Sequence, residues 1–424
     1  MTLIRLILVL VVLAVCLAGC AKDVTLPESV PVPSPAPAPE PEPDPTPAYA
    51  AVSRDEARVL AASLSKGDQR IGLWTDLRPV LENSLRYILR RPQGAVAVSR
   101  PGLTLTWAQL GDSVAEFIGM LSAMDIDPTL VADRFVWLKV KPGTLLTGYY
   151  EPWIEASLTR QGDYRYPIYA KPDDLRTVDL GAFHPRWQGQ SLVYRVDEGG
   201  IKPYHDRKDI DGQGVLTGKG HEIAWVKDPV DIFFLQIQGS GRLVLPDGTV
   251  RHVLYGGRNG HEYVSLGKVL INQGHVPREE MSMQRIREFL AANPDKADAL
   301  MFENPSYVFF HLSDEGPFGA MNTILRPRVS VAVDRTMTPL GSVLALKTTL
   351  MDHSRGVSEP FMGIVLAQDT GGAIKGTRMD LFCGSGDEAE MLAGHLQEHS
   401  EVFMLISRRV LGASAGADQA PAAR

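Results

Sequence analysis

The sequence predicts a mainly β protein with flanking helices, built from barrels in preference to a doubly wound sheet. Three observations carry this. Apolar residues at helical spacing crowd the start of the folded body, up to about Asp125. From about Phe135 the texture changes to short β-rich runs broken by Gly, Pro and Asp. Such short runs recur in both halves of the body, which favours barrels. At 424 residues the chain exceeds one ordinary core, so two folded units plus extras are expected.

The elements follow in order. Ser53 with Glu56 has the spacing of a capping box ahead of Ala57, Leu60 and Leu64. A second helix is predicted over 77–89, with Leu77, Leu81, Leu85 and Ile88 on one face. Thr106 with Gln109 repeats the capping box before Trp107, Leu110, Val114, Phe117, Ile118 and Leu121. Strand-like runs are expected at 135–138, 232–237 and 242–245. Pro246-Asp247-Gly248-Thr249 has hairpin-turn chemistry and leads to a further strand at 250–255. Two helices are predicted near 265–272 and 282–291, then strands at 307–311, 329–333, 343–346, 363–368 and 379–382. Residues 175–220 read as a long, polar, loop-like stretch, and the Ala/Gly-rich tail 412–424 as disordered.

Composition narrows the function classes. Forty-three basic against 50 acidic residues give a net charge of −7, with no basic excess to mark a nucleic-acid binder. Three cysteines can form neither a disulfide framework nor a four-ligand zinc site. Cys383, without a nearby histidine in sequence, reads as a buried small side chain. His261-Glu262 lacks the second histidine of a zincin, so no metal and no cofactor are proposed.

The amino terminus has its own logic. Residues 6–18 form an apolar run too short to span a membrane comfortably, which fits a signal-peptide core. It ends in Leu17-Ala18-Gly19-Cys20, which resembles the bacterial lipobox, where the chain is cut before the cysteine and the thiol acylated. Residues 1–19 are then a lipoprotein signal peptide and Cys20 the lipidation site that ties the protein to a membrane. Ala21 and Lys22 follow without an aspartate, similar to lipoproteins sent to the outer membrane, so the periplasmic face of that membrane is the expected location. Residues 20–50 form the lipidated, Pro-rich tether, with alternating Pro from Pro31 to Pro47 favouring extended polyproline II. Such an arm reaches about 90 Å, which suits a large, immobile substrate.

The chemistry concentrates at 364–384. Asp369 and Asp380 stand near the ends of two predicted strands, joined by a turn containing Gly371, Gly372 and Gly376. Met379, Leu381 and Phe382 surround Asp380 and could raise its pKa, as a general acid near neutral pH requires. Asp334 ends another apolar strand. Aspartates at strand ends are commonly turn caps, so this pattern alone does not define an enzyme. Gly412-Ala413-Ser414-Ala415-Gly416 matches the nucleophile-elbow pattern but lacks its strand and helix, and Gly239-Ser240-Gly241 reads as a turn.

Asp334, Asp369 and Asp380 in these settings resemble the three-aspartate "3D" region of the membrane-bound lytic murein transglycosylase A family. The resemblance extends through Thr147-Gly148-Tyr149-Tyr150-Glu151-Pro152, Tyr166-Pro167-Ile168-Tyr169, Gln236-Ile237-Gln238-Gly239-Ser240-Gly241 and Tyr255-Gly256-Gly257-Arg258-Asn259-Gly260-His261. Ser265-Leu266-Gly267-Lys268 and Asn304-Pro305-Ser306-Tyr307-Val308-Phe309-Phe310 continue it. It implies a discontinuous double-psi β-barrel domain with an inserted smaller β-barrel domain and a groove between them. Carried over, residues 51–151 and 305–411 form the double-psi barrel and 152–304 the insert.

The resemblance also implies a reaction. Peptidoglycan glycan strands would be cut between N-acetylmuramic acid and N-acetylglucosamine, leaving 1,6-anhydromuramic ends without net hydrolysis. One carboxyl can then act as acid and afterwards as base. Asp380 matches the family's catalytic aspartate. Asp369, Thr147, Tyr149, Tyr150, Gln236 and Gln238 are candidates for substrate binding, Asp334 for holding strand ends together, and Lys375 for a substrate charge. Barrel-rim packing is the competing reading for the tyrosine pair. Two other functions stay open: a muramidase-type hydrolase using Asp369 or Glu151 as second carboxylate, and a non-catalytic wall-binding lipoprotein. Membership of a larger cell-wall enzyme complex is also left open.

Overall fold

The computed structural model describes residues 47–417 apart from residue 354. The expected signal peptide, Cys20 and most of the tether lie outside the described residues. The first described segment holds β1 (Tyr49–Ala51), α1 (Arg54–Ala62), α2 (Arg78–Leu89), β2 (Val96–Arg100), β3 (Leu103–Thr106), α3 (Trp107–Ile126), α4 (Leu130–Arg134), β4 (Phe135–Val140) and β5 (Thr144–Glu151). The tether reading is thus too long at its end, since β1 pairs with β4. Ser53 caps α1 by accepting the Glu56 N–H at 3.1 Å, and Thr106 with Gln109 forms a reciprocal capping box on α3. Each supplies an acceptor that the first helical turn lacks.

The middle of the chain forms β6 (Trp153–Ser157), β7 (Tyr166–Tyr169), β8 (Arg176–Asp179), β9 (Ser191–Asp197), β10 (Gly200–Pro203), β11 (Glu222–Val226), α5 (Pro229–Gln238), β12 (Ser240–Val244) and β13 (Val250–Arg258). It continues with α6 (Leu266–Asn272), α7 (Met283–Ala292), α8 (Pro294–Phe302) and β14 (Val308–Ser313). The last segment contains β15 (Ser330–Ala332), β16 (Val343–Asp352), β17 (Val357–Asp369), β18 (Met379–Ser385), α9 (Asp387–His395), β19 (Gln397–Ser407) and α10 (Arg408–Ala417).

Eight strands from the two ends of this span form one sheet in the order β1-β4-β19-β16-β17-β15-β18-β5. β19 also pairs with β5, through Gln397–Ser400, so the sheet closes into a barrel of β5 and β15 to β19. Two of its pairings, β15 with β17 and β18 with β5, are parallel. Its strands are buried on both faces, with Leu344 and Leu381 on one and Ile364, Leu366 and Phe403 on the other, and they form one core with the apolar faces of α2 and α3, including Leu81, Ile88, Phe117 and Leu121. Burying each such side chain contributes about 1.5–3 kcal/mol, which is why these helices flank the barrel.

A second sheet runs β14-β13-β12-β6-β11-β7, and a bridge from Ala170 to Phe310 brings its two edges together. Ile154, Ile168, Ala224, Leu243, Val253 and Phe310 fill this smaller barrel. Its strands lie in sequence between β5 and β15, so the chain is a discontinuous double-psi barrel carrying an inserted smaller barrel.

Three local expectations are corrected. Residues 232–237 are helical, not a strand. Asp228 caps α5 through the Val230 N–H, Pro229 occupies the first turn, and Gly239 ends it in the left-handed region at φ 84°. The run looked uniformly apolar because α5 is buried on two sides: Ile232 and Leu235 enter the small barrel, Phe233 and Phe234 the α6–α8 cluster. Residues 175–220 are not a loop but hold the antiparallel sheet β8–β10, with Leu175, Tyr204, Ile210 and Leu216 buried. Arg207 there is also buried, bonded to the Asn304 and Ser306 carbonyls at 3.0 and 2.7 Å. Residues 412–417 continue α10 and are not disordered, and residues 418–424 lie outside the described residues. Ser414 therefore falls within a helix, not at the strand-to-helix turn that an elbow requires.

Candidate active site

Four adjacent strands, β17, β15, β18 and β5, bring the distant motifs together. Ala332 on β15 registers with Asp369 on one side and Asp380 on the other. Across the β18–β5 pair, Asp380 faces Thr147 and Phe382 faces Tyr149. Alternation along a strand puts Asp380 with Phe382, and Thr147 with Tyr149, on one surface. Tyr149, Leu325, Ala332, Ile374 and Phe382 form a small apolar cluster there, with the Tyr149 and Phe382 rings 5.3 Å apart.

This floor desolvates the two carboxyls. Asp380 is half-buried, and burial pushes its pKa up to about 6, opposed by a hydrogen bond from Thr147 and the charge of Arg378. Thr147 Oγ1 donates to Asp380 Oδ1 at 2.7 Å. Asp369 is raised to about 6 as well, again by burial, although it accepts three hydrogen bonds. Those come from the Ala320 and Thr370 N–H groups onto Oδ1 at 2.9 and 2.8 Å, and from Tyr149 Oη onto Oδ2 at 2.8 Å. Asp369 has donors on both oxygens, whereas Asp380 keeps one oxygen without a protein donor among the described residues.

Asp334 has a different environment. Burial raises its pKa, but hydrogen bonds from Thr336 and from the Gly376 N–H outweigh it, so the carboxyl stays below the usual range. It joins the turn after β15 to the glycine turn, where Gly376 sits at φ 61°.

The remaining predicted residues separate. Tyr150 points into the core and is 2% exposed, and its backbone N–H donates to Gln238 Oε1 at 2.9 Å. Gln238 Nε2 contacts Met283 Sδ at 3.3 Å, so this amide braces β5 against α5 and α7. Gln236 is buried with neither amide atom partnered. Glu151 is fully buried, with Oε2 on Arg242 Nε at 2.6 Å and Oε1 on His252 Nδ1 at 2.8 Å. Cys383 is buried beneath the site and burial holds its thiol far above the ordinary value.

Two residues not selected from the sequence also reach the site. Arg378 Nη2 donates to Thr147 Oγ1 at 3.3 Å. Tyr263, from the segment after β13, lies within electrostatic reach of Arg378 and Asp380. Their only sequence signal is the two-residue offset of Arg378 from Asp380. Among the described residues, no group of three or more His, Cys, Asp or Glu side chains is arranged to hold a metal ion.

Known proteins share this sequence pattern and fold. Residues 145–311 match the MltA-specific insert domain and residues 329–406 the 3D domain. A crystal structure of a membrane-bound lytic murein transglycosylase from Agrobacterium tumefaciens is 30% identical, covers 86% of this chain and 99% of its own, and superposes with a TM-score of 0.71. The chain belongs to the membrane-bound lytic murein transglycosylase A family. Another member of this family, MltA from Escherichia coli with bound chitohexaose, is 28% identical with a TM-score of 0.61, covering 78% of this chain and 90% of that one. In direct sequence comparison the E. coli K12 transglycosylase is 34% identical over 263 residues, 61% of this chain and 64% of the relative. The aligned part thus spans just under two thirds of that MltA relative's length.

Proposed function

We propose that the protein is a peptidoglycan lytic transglycosylase that cleaves the β-1,4 bond between N-acetylmuramic acid and N-acetylglucosamine, with Asp380 as its single acid/base. The observation that carries this is a carboxyl at about 6, half-buried, with one oxygen held by Thr147 and the other without a protein donor. Near neutral pH a useful fraction of such a group is protonated. Asp380 gives its proton to the glycosidic oxygen as the bond to C1 breaks. The resulting carboxylate takes the proton of the muramyl C6 hydroxyl as that oxygen closes on C1. The proton balance closes without water, and the product is a 1,6-anhydromuramic end.

A hydrolase would need a second working carboxylate. Asp369 accepts three hydrogen bonds and Glu151 is committed to Arg242 and His252, so neither supports that reading. Asp369 and Tyr149 more naturally hold sugar and site geometry, and Asp334 the strand ends. The unpartnered buried amide of Gln236 suits a sugar hydroxyl. The 3D and insert matches, and the chitohexaose bound to the E. coli relative, support a glycan substrate. We further read 152–304 as the inserted domain, and Cys20 as the lipid anchor that holds the enzyme at the periplasmic face of the outer membrane.

The test is mass spectrometry of muropeptides released from purified sacculi by wild type and by folded Asp380→Ala. Anhydro-ended products from wild type alone are expected. Reducing ends would make the protein a hydrolase. No release, with binding to sacculi, would leave a wall-binding protein.

A further inference from the structure

The glycine turn between Asp369 and Arg378 gathers positive charge in a protein of net charge −7. Arg378 forms no salt bridge among the described residues. Its Nη2 donates only to the neutral Thr147 hydroxyl at 3.3 Å, and its Nε is enclosed by protein with no acceptor. Across the turn, Arg258 at the end of β13 is exposed, and a Cβ built on Gly372 would lie 3.9 Å from its Nη1. Lys375 is exposed on the same turn. The nearby aspartates feel these charges without bonding to them: Asp380 lies within electrostatic reach of Arg378 and Asp334 of Lys375, but among the described residues neither makes a hydrogen bond or ion pair with its cation, and Asp369 is bonded to other groups. A guanidinium offers a planar fork of donors matched to a carboxylate, and among the described residues this one is bonded to none.

We propose that Arg378, with Arg258 of the inserted barrel across the turn, binds a carboxylate carried by the muramyl residue seated beside Asp380. The inference rests on the glycan reading above and specifies which chemical feature of the glycan is recognised. A muramyl residue presents a free lactyl carboxylate when its peptide has been removed. When the peptide is present, that carboxyl is an amide and the stem supplies carboxylates of its own. The binding chemistry is shared, and Arg378, two residues from the proposed acid, sets which sugar occupies the cleavage position. N-acetylglucosamine has no carboxylate and gains nothing there.

The experiment measures binding by calorimetry to the full chain in detergent, with Asp380→Asn blocking turnover. The probes are peptide-free glycan strands, the same strands with lactyl carboxylates converted to methylamides, peptide-bearing strands, and neutral chitohexaose. Adding Arg378→Gln should weaken binding of carboxylate-bearing strands about tenfold, the scale of one charge-assisted contact, while changing chitohexaose by less than about twofold. Arg378→Lys should recover part of the loss, which separates charge from packing. A loss confined to peptide-free strands and abolished by methylamidation identifies the lactyl carboxylate, and one confined to peptide-bearing strands identifies the stem. Equal weakening of every probe, or of none, overturns the proposal. A protein that binds chitohexaose yet does not distinguish charged from neutralised strands overturns it and leaves the glycan function standing. One that binds no glycan overturns both.

Discussion

Thr147 and Asp380 face each other across the parallel strands β5 and β18, and the threonine hydroxyl donates to Asp380 Oδ1 at 2.7 Å although 233 positions separate them in sequence. The bond favours the ionised carboxyl, whereas the apolar floor below favours the protonated one. A carboxyl at about 6 is the outcome of that opposition. In Thr147→Val the first influence is lost, so the alkaline limb of kcat/KM should move to higher pH. Losing a positioning hydrogen bond to an ionisable group should also lower kcat about tenfold. The pH profile of anhydro-muropeptide release measures both.

The same carboxyl should make stability depend on pH. Folding raises Asp380 from 3.8 to about 6, so between those values the native state holds more protons than the unfolded state, and stability falls as pH rises. Asp380→Asn removes the burden. The variant should be more stable than wild type above about pH 6, by on the order of 1–2 kcal/mol given partial solvent access, with the difference vanishing near pH 4. Urea unfolding at both pH values checks this. A gain that persists at pH 4 would contradict it.

Glu151 should matter for folding and not for proton transfer. It is fully buried between Arg242 and His252, and Glu151→Gln leaves the arginine without its counter-charge. Breaking one partner of a buried pair costs about 3–5 kcal/mol, and the 29% exposure of Arg242 places this pair at or below the lower end of that range. Chemical denaturation should register that loss, while protein still folded at low temperature should make the same anhydro product. Loss of turnover in fully folded Glu151→Gln would instead restore it as a second carboxylate.

Gly148 lies between Thr147 and Tyr149, where α9 approaches β5. A Cβ there would stand 2.9 Å from Ala393 Cα and 3.0 Å from Cys383 Sγ. Because one of those neighbours is backbone, the helix must shift. Gly148→Ala is expected to cost about 1–3 kcal/mol and to lower Tm. Weaker release of muropeptides by the folded variant would follow, since the displaced strand carries Thr147.

Much of this was legible before any tertiary contact was known. Ser53 and Thr106 announce α1 and α3 because capping needs only residues three apart, and Pro246 to Thr249 turns the chain for the same local reason. Residues 232–237 misled because a helix buried on two faces loses its periodicity. Residues 175–220 misled because short, polar, exposed strands carry little alternating signal. Tyr149 and Tyr150 look equivalent in sequence, yet strand alternation sends one hydroxyl to Asp369 and the other ring into the core.

The sequence by itself determined the helix caps, the hairpin turn, the mainly β class and the aspartates that resemble a 3D region. Those depend on interactions within a few residues or on residue types that can be recognised in order. The tertiary structure alone decided which side chains meet. Closure of β19 onto β5, the pairing of Thr147 with Asp380, the commitment of Glu151 to Arg242 and His252, and the guanidinium of Arg378, bonded to no carboxylate among the described residues, all arise from contacts between distant segments. Such contacts are selected by burial of the whole core, and no local stretch of chain contains that information.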